Sequence, residues 1–239
     1  MNLPSAILLL GSCFILPAAF GQTTTIDYTE IFAPASNPLI LGGYQSDGVT
    51  PNFPTSVSAP AFDSNLGTLD SVTVTLDATV EGNVVVWNYN VPGNPEAFTN
   101  ATSSADVTVS GPAGTSISAM PTSTVASGIA AGPFGTGTYF TPTAEPAASS
   151  SANVDPNVYS SYEIAGGGML LFLVDSDGGG TFGGHAVNNG QVAFGGNAAV
   201  SGDIMVAYTY TVIPEPALYA AMLGAAAVGF AFVRRLRPV

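Results

Sequence analysis

Along residues 71–81 polar and apolar side chains alternate without a break. Val72, Val74, Leu76, Ala78 and Val80 are interleaved with Ser71, Thr73, Thr75, Asp77, Thr79 and Glu81. A period of two sends successive side chains to opposite faces, so this stretch predicts a half-buried strand. Glu81-Gly82-Asn83 reads as a turn, which makes Val84-Val85-Val86-Trp87 the second strand of a hairpin. The alternation returns at 200–212, with Ile204, Val206, Tyr208, Tyr210 and Val212 on one face, and at 24–32, with Ile26, Tyr28 and Ile31 inward. Shorter candidate strands lie at 106–110, 116–119, 158–164 and 169–174, and a weaker one at 191–194. Gly111-Pro112 and Gly166-Gly167-Gly168 punctuate them. No window between the two ends shows a 3.6-residue period. Many short strands with Gly/Pro punctuation predict an all-β, antiparallel β-sandwich of jelly-roll-like type over residues 22–212. Residues 141–156 (TPTAEPAASSSANVDP) are poor in large apolar groups and read as a surface loop of that domain, or else as a linker between two small ones.

The two ends have a different pattern. Residues 3–20 are an apolar run, and Ala19-Phe20-Gly21 is a small-x-small cleavage site. Residues 1–21 therefore read as a signal peptide cut between Gly21 and Gln22, although no Lys or Arg precedes the run. Leu10-Gly11-Ser12-Cys13 is similar to a lipobox, but only twelve residues precede the Cys and more apolar chain follows it. Residues 213–239 form the other end. Pro214-Glu215-Pro216 leads into 17 apolar residues, 217–233, followed by Arg234, Arg235 and Arg237. Seventeen helical residues span about 25 Å, slightly less than a hydrocarbon core of about 30 Å. Pro216 suits a first helical turn, and the basic cluster should stay cytoplasmic, which places everything before it outside.

Charge sharpens this picture. Arg234, Arg235 and Arg237 are the only basic residues, and all but one of the 16 acidic residues lie within 22–212. A domain with fifteen carboxylates and no Lys or Arg cannot neutralise phosphates, so nucleic acid is excluded as a partner. An acidic polysaccharide is excluded as a direct ion-pairing partner for the same reason, although divalent cations could bridge the two. Lysine-based chemistry is also absent. Cys13 is the one cysteine, and cleavage after Gly21 removes it, so the mature domain is stabilised without disulfides or thiolate metal ligands.

Few residues select a chemistry. Asp175-Ser176-Asp177-Gly178-Gly179-Gly180 has the opening of a Ca²⁺ loop, yet the position where an EF-hand needs a bidentate Glu holds Ala186. Asp175 and Asp177 are thus a weak Ca²⁺ candidate, set against a Gly-rich turn capped by Asp side chains. No other metal or cofactor is expected. His185 is the sole histidine, with no G-x-S-x-G elbow and no partner ligands, and it reads as a loop residue without a special role. Glu81, Glu96, Glu145 and Glu163 are available as carboxylates for a glycosidase, but nothing in their setting selects two. Trp87, the one tryptophan, reads as core packing rather than as a sugar platform.

Pro214-Glu215-Pro216, the short Ala/Gly-rich apolar segment and Arg234-Arg235 resemble the PEP-CTERM sorting signal of Gram-negative bacteria. That resemblance implies export, recognition of the tripeptide by an exosortase (an integral-membrane cysteine transpeptidase) and association with exopolysaccharide or biofilm matrix. Residues 62–72, Phe-Asp-Ser-Asn-Leu-Gly-Thr-Leu-Asp-Ser-Val, with Ala207-Tyr208-Thr209-Tyr210-Thr211 before the tail, are similar to the choice-of-anchor E family. This second resemblance implies a secreted β-domain with no known activity. Two function classes result: a non-enzymatic surface or matrix protein, briefly anchored by 217–233 before sorting, and a secreted carbohydrate-binding or glycan-hydrolysing module.

Overall fold

The computed structural model describes residues 21–41, 53–90, 94–142, 147–176, 181–187, 191–213 and 223–231. Apart from two short 3-10 turns and a helical stretch at 223–231, its regular structure is antiparallel β-sheet.

Two long strands, β4 (Gly67–Asn88) and β13 (Val192–Val212), form the spine. They pair antiparallel along their whole length, from Gly67↔Val212 to Asn88↔Val192. At about 3.3 Å per residue this ribbon extends about 70 Å. β1 (Thr23–Ala33) flanks β13, and β10 (Ala147–Asn153) flanks β4, giving the order β1-β13-β4-β10. Further along, β2 (Leu39–Leu41) pairs with β13 and β9 (Gly137–Phe140) with β4.

One face of this sheet is apolar because every second residue of both long strands is. Val72, Val74, Leu76, Ala78, Val80, Ile204, Val206 and Tyr208 are fully buried. They are covered by a second sheet of order β3-β11-β6-β7, made of β3 (Thr55–Pro60), β11 (Met169–Ser176), β6 (Val107–Ser110) and β7 (Ser116–Ala119). Phe172, Val174, Val107 and Val109 are its contribution to the shared core. Phe62 closes the end of this core, with its ring 5.8 Å from Tyr208 and 4.9 Å from Tyr210. The Tyr208 hydroxyl donates to the Pro60 carbonyl at 2.8 Å, and burial pushes its pKa up. The result is a β-sandwich.

A second, smaller core lies under the far half of the ribbon. Val84 and Val86 of β4 meet Phe98, Ala101 and Ala130, with Phe140 and Phe194 packed alongside. Phe98 sits edge-on to Phe140 at 4.7 Å and to Phe194 at 6.1 Å. The cover is a three-stranded sheet, β12-β5-β8, of β12 (Thr181–Ala186), β5 (Glu96–Ser104) and β8 (Thr122–Ala130). Each of these strands belongs to a connection between strands of the first sandwich, so the insertions gather at one end.

Several expectations are corrected. Residues 81–83 are not a hairpin turn: β4 runs straight through them, with Asn83 opposite Asn197 on β13. Residues 191–194 and 200–212 are parts of one strand. Ile31 faces solvent, because the register with β13 shifts between Ile31 and Ala33 and buries Phe32 instead. Residues 156–161 form a 3-10 turn rather than a strand, started by Pro156 and capped by the Asp155 carboxylate on the Asn157 N–H. The low-complexity segment is not all loop. Its residues 147–153 form β10, which pairs with β4 at Ala147↔Thr79 to Asn153↔Thr73. Small Ala and Ser side chains suit an edge strand whose burial need is slight.

Candidate functional site

The far end of the long ribbon, here called the tip, brings two exposed aromatic groups, Tyr89 and Phe134, together on a hydrogen-bonded support. Asn88, the last residue of β4, is buried and fully engaged. Its N–H donates to the Thr136 carbonyl (3.3 Å), its carbonyl accepts from the Gly135 N–H (2.7 Å), and its Nδ2 donates to the Asn94 (2.9 Å) and Gly132 (3.2 Å) carbonyls. Its Oδ1 accepts from the Asn90 N–H at 2.8 Å. One residue thus ties two loops, as a buried polar group must to offset its desolvation. The Asn90 side chain in turn donates to the Glu96 carboxylate, which is itself buried.

Residues 133–136 close a tight turn through Thr136 N–H to the Pro133 carbonyl (2.9 Å), with Gly135 at φ 77°. Only glycine holds that backbone angle without strain, and the turn pushes Phe134 into solvent. Phe134 is 56 % exposed and meets the ring of Tyr89 edge-on at 5.5 Å. The tip therefore offers ring faces, held on a frame of buried, internally hydrogen-bonded amide and carboxylate. It has the makings of a binding surface, with no nucleophile–base pair among its described residues.

The sequence-derived candidates do not converge there. Trp87 is buried at the base of the tip and presents no open face. Glu81 lies mid-ribbon opposite Ala199, while Glu163 bridges Phe62 at the opposite end. About 46 Å of strand separates Gly67, beside Phe62, from Glu81. A glycosidase pair needs roughly 5–9.5 Å, so these two cannot serve as one. Glu145 lies outside the described residues. His185 is exposed on β12, opposite Thr99, not in a loop. Asp175 is the penultimate residue of β11, and its carboxylate accepts from the Ser176 N–H (2.8 Å). Asp177, its suggested Ca²⁺ partner, is outside the described residues. No group of three or more His, Cys, Asp or Glu is gathered among the described residues. Of the targeting segments, Gly21 and Gln22 are described, and the Gln22 carbonyl accepts from the Val212 N–H at 3.1 Å. Pro214, Glu215, Pro216, Arg234, Arg235, Arg237 and Cys13 are outside. Residues 223–231 are helical and exposed, and among the described residues no helix is long and apolar enough to cross a membrane.

The open face of the large sheet carries an electrostatic feature. Asp203 on β13 lies directly across from Asp77 on β4. Partial burial first, and the Asp77 charge second, raise the Asp203 pKa above the ordinary Asp value. An acid that binds its proton more tightly when folded favours the folded state at low pH. Its contribution is present below about pH 3.8, the ordinary value, and is lost as pH rises through the raised one. Asp203→Asn should therefore raise the Tm at pH 7 and leave it unchanged near pH 3. Parallel Tm–pH profiles for the variant and the parent would sink this account. Asp63 works the other way. The N–H groups of Asn65 (2.9 Å) and Gly166 (2.8 Å) hold its carboxylate below the ordinary value, so its contribution is lost as pH falls.

No protein-family model matches the chain, and no curated protein matches it in sequence. Among solved structures it is similar to the infectious bursal disease virus VP2 subviral particle, at 16 % identity and a TM-score of 0.19 over 83 % of this chain and 44 % of that one. It is similar also to the structure of the Gt strain of that virus, at 12 % identity and a TM-score of 0.15 over 83 % and 42 %. The chain spans less than half of each, and likeness at this level carries no functional argument.

Proposed function

We propose that this chain is an exported, non-enzymatic structural protein of the cell surface or of an exopolysaccharide or biofilm matrix. It crosses the inner membrane behind residues 1–21 and is held briefly by residues 217–233. An exosortase-type transpeptidase acting at Pro214-Glu215-Pro216 then releases it. The observation that carries this reading is the tail itself: tripeptide, apolar segment and the chain's only basic residues, in that order. The jelly-roll reading of the domain draws on strand order. Counted along the chain, the eight strands β1, β3, β4, β6, β7, β10, β11 and β13 give the order 1-8-3-6 along the main path of the large sheet and 2-7-4-5 in the second sheet. Double-sheet jelly rolls arrange eight strands as two Greek keys in this way.

The test is the intact mass of protein recovered from the cell surface. We expect a species lacking residues from about Pro216 onward. A major surface form that retains Arg234 to Val239 would reduce the tail to an ordinary anchor. A second reading, a carbohydrate-binding module, draws on one observation, the exposed Tyr89–Phe134 pair. Binding of neutral glycans that depends on Phe134 would favour it over a purely structural role.

A further inference from the structure

The end of the sandwich opposite the tip is closed by segments tied to one another through backbone bonds. The Ile213 N–H donates to the Leu66 carbonyl (3.2 Å) and the Ile164 N–H to the Phe62 carbonyl (2.9 Å). Asp63 links the same two loops by accepting from Asn65 and Gly166. The Gln22 carbonyl meets the Val212 N–H here, so both ends of the domain leave from this surface. Three large apolar side chains stay open to solvent on it: Leu66 at 42 %, Ile164 at 39 % and Ile213 at 52 %. Met169, 58 % exposed, begins β11 beside them.

We infer that this end, through Leu66, Ile164 and Ile213, rests on the headgroup layer of a lipid bilayer while the tail is uncut. The inference rests on the anchor reading above, and the covalent geometry drives it. If residues 217–233 span the membrane, only Pro214, Glu215 and Pro216 separate Ile213 from the apolar segment. At about 3.5 Å per residue, the four steps from Ile213 to Ala217 reach at most about 14 Å. A headgroup layer is itself roughly 5–7 Å thick on each side. The folded end is thus held in or against that layer, and the leucine and isoleucines give it apolar surface to bury there. The carboxylates at this end favour a zwitterionic surface over an anionic one. Asp63 is occupied by two N–H groups, and Asp70 accepts from the Thr211 hydroxyl (2.8 Å), while Glu163 adds a third charge. The long strands then stand the tip, with its Tyr89–Phe134 pair, well away from the bilayer.

Trp87 supplies an internal reference, because it lies about 65 Å along β4 from Gly67. The exported, uncut form, residues 22–239, is reconstituted into phosphatidylcholine vesicles whose acyl chains carry bromine near the headgroup. We expect the parent to float with the vesicles and keep its full Trp87 emission. Leu66→Trp and, separately, Ile213→Trp should float equally and lose the emission of the added indole. Flotation with both added indoles unquenched overturns the inference and leaves the anchor standing. Quenching of Trp87 in the parent also overturns it, since the domain would then lie along the surface. Failure to float refutes the anchor reading and this inference with it.

Discussion

Gly196→Ala should destabilise the domain by about 3 kcal/mol or more, enough to unfold a marginal chain. Gly196 sits at φ 153° on β13, and a Cβ there would come within 1.9 Å of the Asn83 carbonyl oxygen on β4. Gly82 mirrors it across the ribbon, with φ 159° and 2.1 Å to the Asn197 carbonyl oxygen. Between them the Asn197 side chain accepts from the Asn83 N–H at 3.0 Å. The obstructing atoms are backbone, so relief requires the two central strands to separate where the sheet passes from its first core to its second. Gly183→Ala is the control, because its added methyl would meet only the Thr102 hydroxyl, at 3.2 Å. Urea melts of the three chains decide the matter. A Gly196→Ala chain as stable as the parent would show that the close approach is not required.

Phe172→Ala and Phe98→Ala should each cost about 3–5 kcal/mol, the usual range for removing a buried phenyl ring. Phe172 is fully buried in the first core, and Phe98 is 1 % exposed in the second. Because β4 and β13 run unbroken through both cores, we expect either substitution to lower one common unfolding midpoint. Trp87 lies on β4 next to Val86, on the face opposite the second core, so its fluorescence reports that half of the ribbon, while far-UV circular dichroism reports all the sheets. Coincident transitions by the two probes are expected in both variants. If Phe98→Ala splits them, with the fluorescence change first, the second core unfolds on its own and the ribbon does not couple the two.

The strand content was legible where alternation met burial on one face, as at Val72–Val80 and Ile204–Val212. It was not legible where burial was weak or two-sided. β10 is written in Ala, Ser and Asn, since an edge strand needs little apolar area, and composition alone made it look like a loop. Gly82 looked like a turn because glycine in a sequence marks any unusual backbone need. Here the need is close approach of a neighbouring strand, and that neighbour lies more than a hundred residues away. The tip was missed for a related reason. Gly132-Pro133-Phe134-Gly135 is a readable turn with an outward aromatic. Its significance depends on Asn88 pinning it beside Tyr89, a contact that no local pattern encodes.

The amino-acid sequence by itself determined the all-β class, through its period of two. It also determined the acidic character and the tripartite tail, because charge and apolar runs are properties of the chain and need no partners. Only the tertiary structure decided which strands pair, that one ribbon serves two cores, and that the β-domain's two ends, at Gln22 and Val212, stand opposite its aromatic tip. Those outcomes depend on contacts between residues far apart in the chain, where packing and the exclusion of a Cβ, rather than local preference, select the arrangement.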